Sequence, residues 1–104
     1  MGLSIEQLDT YKLAVTLNHT VADLCFPNGR SHLRDQGIRA ADSLVLNIAE
    51  GMGRGRTTRA GKNHFRIARG SLLEVYAVLD ILRVIPAHQE TFRRLDRMLY
   101  GLIR

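Results

Sequence analysis

The sequence contains no tryptophan, one cysteine and two prolines, and its aromatic residues are three Phe and three Tyr in 104 positions. A lone Cys25 excludes an intramolecular disulfide, supplies no zinc site and fits a reducing compartment. Uninterrupted apolar runs span only a few residues, so no membrane-spanning segment is expected. The opening "MGLSIEQLDTYK" has neither the basic head nor the apolar stretch of a secretion signal. Glu6 stands where a myristoylation signal wants Ser or Thr. A cytoplasmic protein is the expectation. Acidic residues are missing from one region in particular. Residues 51–73 hold six Lys/Arg and no Asp or Glu, whereas the rest of the chain has nine cations against ten acids. The whole net charge of +5 therefore resides in one block, the footprint of an anionic partner.

What is present reads as helix. With 45% apolar residues the chain can bury a core, and its length fits one domain over residues 1–104. Three breaks, "FPNGRS" at 26–31, "EGMGRGRTT" at 50–58 and "RVIPAH" at 83–88, separate four segments of helical spacing. Ser4 and Gln7 form a capping box for the first helix, whose inner face is expected at Leu8, Tyr11, Val15, Ala22 and Cys25, widened by Leu17, Val21 and Leu24. The second helix starts after Ser31 and presents Ile38, Ala41, Val45, Ile48 and Met52, flanked by Leu44. Gly61, Phe65, Ala68, Leu72, Val75, Leu79 and Leu82 give the third a heptad seam. The fourth, from about Ala87, buries Phe92, Leu95, Met98, Leu99 and Leu102. Short connections between such helices predict an all-α, antiparallel up-down-up-down four-helix bundle. Leu73, Tyr76, Ala77 and Ile81 lie away from the third helix's seam, and Leu46 sits among polar residues of the second, so these five are the expected oligomer interface.

The glycine-rich stretch is not a nucleotide loop. Gly51, Gly53 and Gly55 give G-x-G-x-G, but a dinucleotide site needs G-x-G-x-x-G between a strand and a helix, and no Walker lysine follows. Gly51 or Gly53 is expected to end the second helix in the left-handed conformation, with Thr57 or Thr58 capping the third. Arg59, Lys62, Arg66 and Arg69 recur at 3-4-3 spacing as one stripe. Arg59 and Lys62 stand at the helix end where cations are unfavourable by about 0.3–1 kcal/mol each when exposed. With Arg54 and Arg56, these are the candidate nucleic-acid contacts. A purely structural homo-oligomer is the alternative, with the loop arginines paired to a neighbour's Glu50, Glu74 or Asp80.

Catalysis is weakly supported. His19, His32, His64 and His88 lack metal-ligand spacing, and no cofactor, small-molecule substrate or Ser/Cys nucleophile is indicated. Arg59/His64 and Arg83/His88 match the short R-x-x-x-x-H pattern of helical HEPN ribonucleases, in which a His acts as general acid or base. That pattern arises easily in an Arg-rich chain, and a non-enzymatic protein is the expectation.

"QGIRAADSLVLNIAEGMGRGR", followed by "FRIARGSLLEV", resembles the bacterial four-helix bundle proteins encoded within intervening sequences of 23S ribosomal RNA genes, also called S23-like. The resemblance rests on Gln36, Arg39, Ala40, Ala41, Ser43, the run Asn47 to Gly51, Gly53, Arg54, Gly55, Phe65, Ala68, Gly70, Ser71, Leu72 and Glu74. It departs at "SLVLN", which lacks the family's usual proline, and at Met52, where an aromatic is common. The likeness implies a ring-like homopentamer and no enzymatic activity. The family's role is poorly defined. Its genomic link to ribosomal RNA, and its relation to basic accessory proteins of diversity-generating retroelements, point toward nucleic acid.

Overall fold

In a computed structural model, which describes residues 4–104, the chain forms four α-helices and one short 3-10 turn. These are α1 (Ile5–Ala22), α2 (Ser31–Arg54), α3 (Arg59–Ile81) and α4 (Gln89–Ile103), with the turn at Ile85–Ala87 before α4. Cross-helix contacts fix the directions. Asn18 donates to Asp42 at 2.9 Å, and a Cβ on Gly37 would touch Val21 and Val78. Ser71 bonds Ser43 at 2.8 Å and His64 meets Asn47 at 2.9 Å. Along α3 and α4, Lys62 reaches the Arg104 carbonyl, Arg69 pairs with Asp96, and Tyr76 meets Phe92. In each series the numbers rise on one helix as they fall on the other, so α1/α2, α2/α3 and α3/α4 run antiparallel. The fourth side closes with α4 against α1. The four-helix bundle is therefore as expected.

Local chemistry explains each helix. Ser4 caps α1: its hydroxyl accepts from the Gln7 amide at 3.2 Å, and the Gln7 side chain accepts from the Ser4 amide at 3.0 Å. The inner face of α1 differs from the expected one. Gln7, Thr10, Ala14, Leu17 and Val21 are buried, Tyr11 and Val15 are half-buried, and Leu8, Ala22 and Cys25 are exposed. Apolar residues lie nearly all round α1, so spacing alone admitted more than one register. The register chosen buries two polar residues, and Gln7 is reconciled to burial by its place in the cap.

The face of α2 is also rotated. Leu33, Gly37, Ala40, Ala41, Leu44, Ile48 and Gly51 are buried, leaving Ile38, Val45 and Met52 half-buried at the edges. Small residues take the centre because α1 and α3 approach closely there: a Cβ on Gly37 would lie 3.2 Å from the Val78 side chain. In α3 the expected seam is buried except for half-buried Leu82, and Ser71 and Val78 join it. The inward face of α4 is Phe92, Leu95, Leu99 and Leu102, with Met98 half-buried. None of the helices among the described residues is long and apolar enough to cross a membrane.

The elbow between α2 and α3 is tighter than the glycine spacing implied. Neither Gly51 nor Gly53 ends α2, which continues to Arg54; Gly55, at φ +99°, makes the reversal, and its amide bonds the Gly51 carbonyl at 3.2 Å. Only residues 55–58 lie between the helices. Thr58 joins them: its hydroxyl accepts from the Gly61 amide at 2.9 Å and donates toward the Gly55 carbonyl at 2.8 Å.

Candidate nucleic-acid interface

The elbow places the basic block by packing its opposite side. Gly51 lies under the Phe65 ring, where a Cβ would approach ring carbons to 2.5 Å. A Cβ on Gly61 would collide with the Gly55 carbonyl. These two glycines let α2 and α3 meet at backbone distance while Phe65, fully buried, packs over Gly51. Gly53 is different, because nothing lies within 4 Å of its missing Cβ.

Asn47 does not lie on the polar face of α2, contrary to its sequence neighbourhood. It is half-buried against α3, donating to the Ser43 carbonyl at 2.9 Å and hydroxyl at 3.1 Å, while its carbonyl oxygen faces His64 Nδ1 at 2.9 Å. Ser71 extends this chain through its 2.8 Å bond to Ser43. A polar seam of Ser43, Asn47, His64 and Ser71 thus runs beside the apolar one and sets the register of the two helices. His64 of the first R-x-x-x-x-H is held in this seam through one ring nitrogen. In the second, Arg83 occupies a left-handed turn at φ 63° and His88 lies across the 3-10 turn. Among the described residues no group of three or more His, Cys, Asp or Glu is arranged to hold a metal ion.

With that side packed, the six cations face outward, but in different states. Arg54 is within 3.5 Å of Glu50 on the same helix, a solvent-exposed pair of small energetic weight. Arg69 makes a two-pronged contact with Asp96 of α4, at 2.7 and 3.4 Å. That hydrogen bond, and then the carboxylate charge, raise the Arg69 pKa above its ordinary value. Lys62 donates to the main-chain oxygen of Arg104 at 3.2 Å and Arg66 to the neutral Asn63 side chain at 2.8 Å. Arg56 and Arg59 are exposed. Among the described residues, no Asp or Glu carboxylate lies within ion-pair distance of Arg56, Arg59, Lys62 or Arg66. These four cations of the block therefore have no acidic side chain to neutralise them.

The expected interface residues divide. Leu46 is 64% exposed, Leu73 60% and Ile81 50%, and Ala77 is exposed too. Tyr76 instead turns half-buried toward α4, edge-on to Phe92 with ring centroids 5.3 Å apart. An apolar cleft beside it is lined by Leu72, Leu73, Tyr76 and Phe92.

The fold also supplies residues that the α3 spacing could not name. Asp96, Tyr100 and Arg104, on or just past α4, stand against the basic stripe. Their 4-4 spacing marks one side of α4, a signal that becomes readable only once α4 is aligned antiparallel to α3.

The family model for the 23S rRNA-intervening sequence protein matches residues 6–103. The chain belongs to that family. The match takes in all four helices and the elbow, well beyond the motif region that carries the sequence resemblance. Comparison with curated proteins and with solved structures found no match.

Proposed function

We propose that this family member is a non-enzymatic, self-associating bundle that contacts RNA through Arg54, Arg56, Arg59, Lys62, Arg66 and Arg69. The observation that carries the reading is that Arg56, Arg59 and Arg66 are exposed with no Asp or Glu among the described residues within ion-pair distance. Arg59 and Lys62 stand at the start of α3, where the helix itself disfavours them. Phosphate oxygens supply the missing counter-charge, and the family's association with 23S rRNA makes RNA the anion of choice. Binding of this kind is sequence-tolerant and steep in salt, with log K falling by about 0.7 per phosphate neutralised on a single strand. Self-association uses the exposed Leu46, Leu73, Ala77 and Ile81 with the flank of Tyr76, closing into a ring-like homopentamer in the cytoplasm. The single unpaired cysteine is compatible with that reducing compartment.

Charge reversal separates RNA contact from assembly. Replacing Arg56, Arg59, Lys62 and Arg66 with Glu should abolish RNA retention at low salt while the mass in solution stays that of the unaltered protein. Unchanged retention, or loss of assembly with retention intact, would leave the scaffold reading in place, with the arginines pairing between subunits. Leu73→Glu with Ile81→Glu should do the converse, lowering the mass in solution without unfolding the bundle.

A further inference from the structure

An exposed aromatic ring sits at the far edge of the basic stripe, brought there from another helix. Tyr100 on α4 is 53% exposed and lies between two guanidinium groups. The Arg69 guanidinium carbon is 5.6 Å from its ring centroid and that of Arg104 is 5.9 Å. Both distances fall within the limit of about 6 Å for a cation–π contact, so the two guanidinium groups stand over the ring. Arg69 is anchored by its two contacts with Asp96 and cannot swing away without breaking them. Next to it runs an open groove lined by Arg66, Arg69, Gly70, Leu73 and Ile103, of which Leu73 also belongs to the proposed self-association face. Nothing lies within 4 Å of a Cβ built on Gly70, so the backbone there stays accessible. Arg69, which lines this groove, is also the residue beside the exposed Tyr100 ring. Cations for the phosphate and an aromatic ring for the base, side by side, are what an unpaired nucleotide requires. Duplex RNA offers only the phosphates, because its bases are stacked on one another.

We infer that Tyr100, flanked by Arg69 and Arg104, is a stacking platform for an unpaired base, so that the basic face takes single-stranded RNA in preference to duplex. Arg66, whose only partner among the described residues is the neutral Asn63, holds the backbone in the groove and the neighbouring base stacks on the Tyr100 ring. This inference rests on the RNA-contact reading above and adds to it the class of strand.

The test compares a labelled oligoadenylate with an RNA duplex carrying as many phosphates, both at low salt. The unaltered protein should bind the single strand more tightly. Tyr100→Ala should weaken oligoadenylate binding roughly 5- to 150-fold, the loss typical of one stacked base, and leave duplex affinity and the salt slope unchanged. Tyr100→Phe should retain the binding. Because the chain has no tryptophan, Tyr100→Trp introduces a sole indole whose emission should be quenched by oligoadenylate and not by duplex. Equal binding of both RNAs, with Tyr100→Ala neutral and the indole unquenched, overturns the platform and leaves the phosphate contact standing. Binding of neither RNA by the unaltered protein overturns both. Circular dichroism of each variant guards against misfolding, which an exposed position makes a minor concern.

Discussion

The two halves of α3 share one inner face and part company outside. In the first half, cations cover a backbone packed as closely as glycine allows, with Gly51 beneath Phe65 and Gly61 against the Gly55 carbonyl. In the second half, Leu73, Ala77 and Ile81 stand exposed where a solvated helix would carry charge. The inner seam is continuous through both, so folding of the single chain does not explain why the outer faces differ. The first half carries charge that its own helix end disfavours, and the second carries apolar area that water disfavours. The proposed RNA contact and self-association would satisfy each from outside the chain, by different chemistry. A charged face is suited to a polyanion and an apolar face to another protein surface.

Breaking the shared seam should have the largest effect. Phe65→Ala removes a fully buried ring from above Gly51 and should cost about 3–5 kcal/mol, measured by urea unfolding. A loss below that range would mean that α2 and α3 collapse into the space. Gly61→Ala tests the elbow itself. Its methyl group meets the Gly55 carbonyl, and relief requires α3 to move away from the Thr58 cap, for an expected loss of about 1–3 kcal/mol.

Gly53→Ala sharpens the comparison in the opposite sense. The position is helical and open, so alanine should stabilise by about 0.5–1 kcal/mol, seen as a raised melting temperature. If RNA affinity falls while stability rises, the bare backbone at Gly53 serves the ligand and not the fold. The smallest change in stability is expected from Asp96→Asn. Both partners of its bond to Arg69 are about 40% exposed, so the loss should be about 0.2–1 kcal/mol. Removing that carboxylate should also tighten RNA binding, because it is the one acid set against the stripe from α4. Since the Arg69 pKa is raised on folding, the arginine's share of this stabilisation is fully present at lower pH. It is lost only as pH climbs through the folded value, in strong alkali.

The inner face of α3 was legible in the sequence because a strict heptad leaves one register, and Ser4 and Thr58 were legible because capping is local. The face of α1 was not. Its apolar residues surround the helix, and the burial of Gln7 and Thr10 depends on packing that no spacing rule contains. The place of Asn47 is not legible for a related reason: on α2 alone it belongs with the polar residues, and only the approach of α3 provides His64 as its partner. Likewise, the cationic stripe could be read from 3-4-3 spacing, but its contact with Asp96 and Tyr100 spans 27 or more positions and depends on the register of α4. Composition showed where the charge was concentrated. The tertiary register showed which charges were already answered.

The four-residue elbow also bears on how the bundle forms. Closing so short a loop is fast, and the helices it joins have the most extensive contact of any pair in the bundle. The α2–α3 hairpin is therefore expected to form first, with α1 and α4 docking onto it from either end of the sequence. Amide protons along the Phe65–Ile48 seam should be the last to exchange with solvent, and those of α1 among the first. An element that assembles early and opens late gives the cationic face a rigid support before the rest of the bundle is in place.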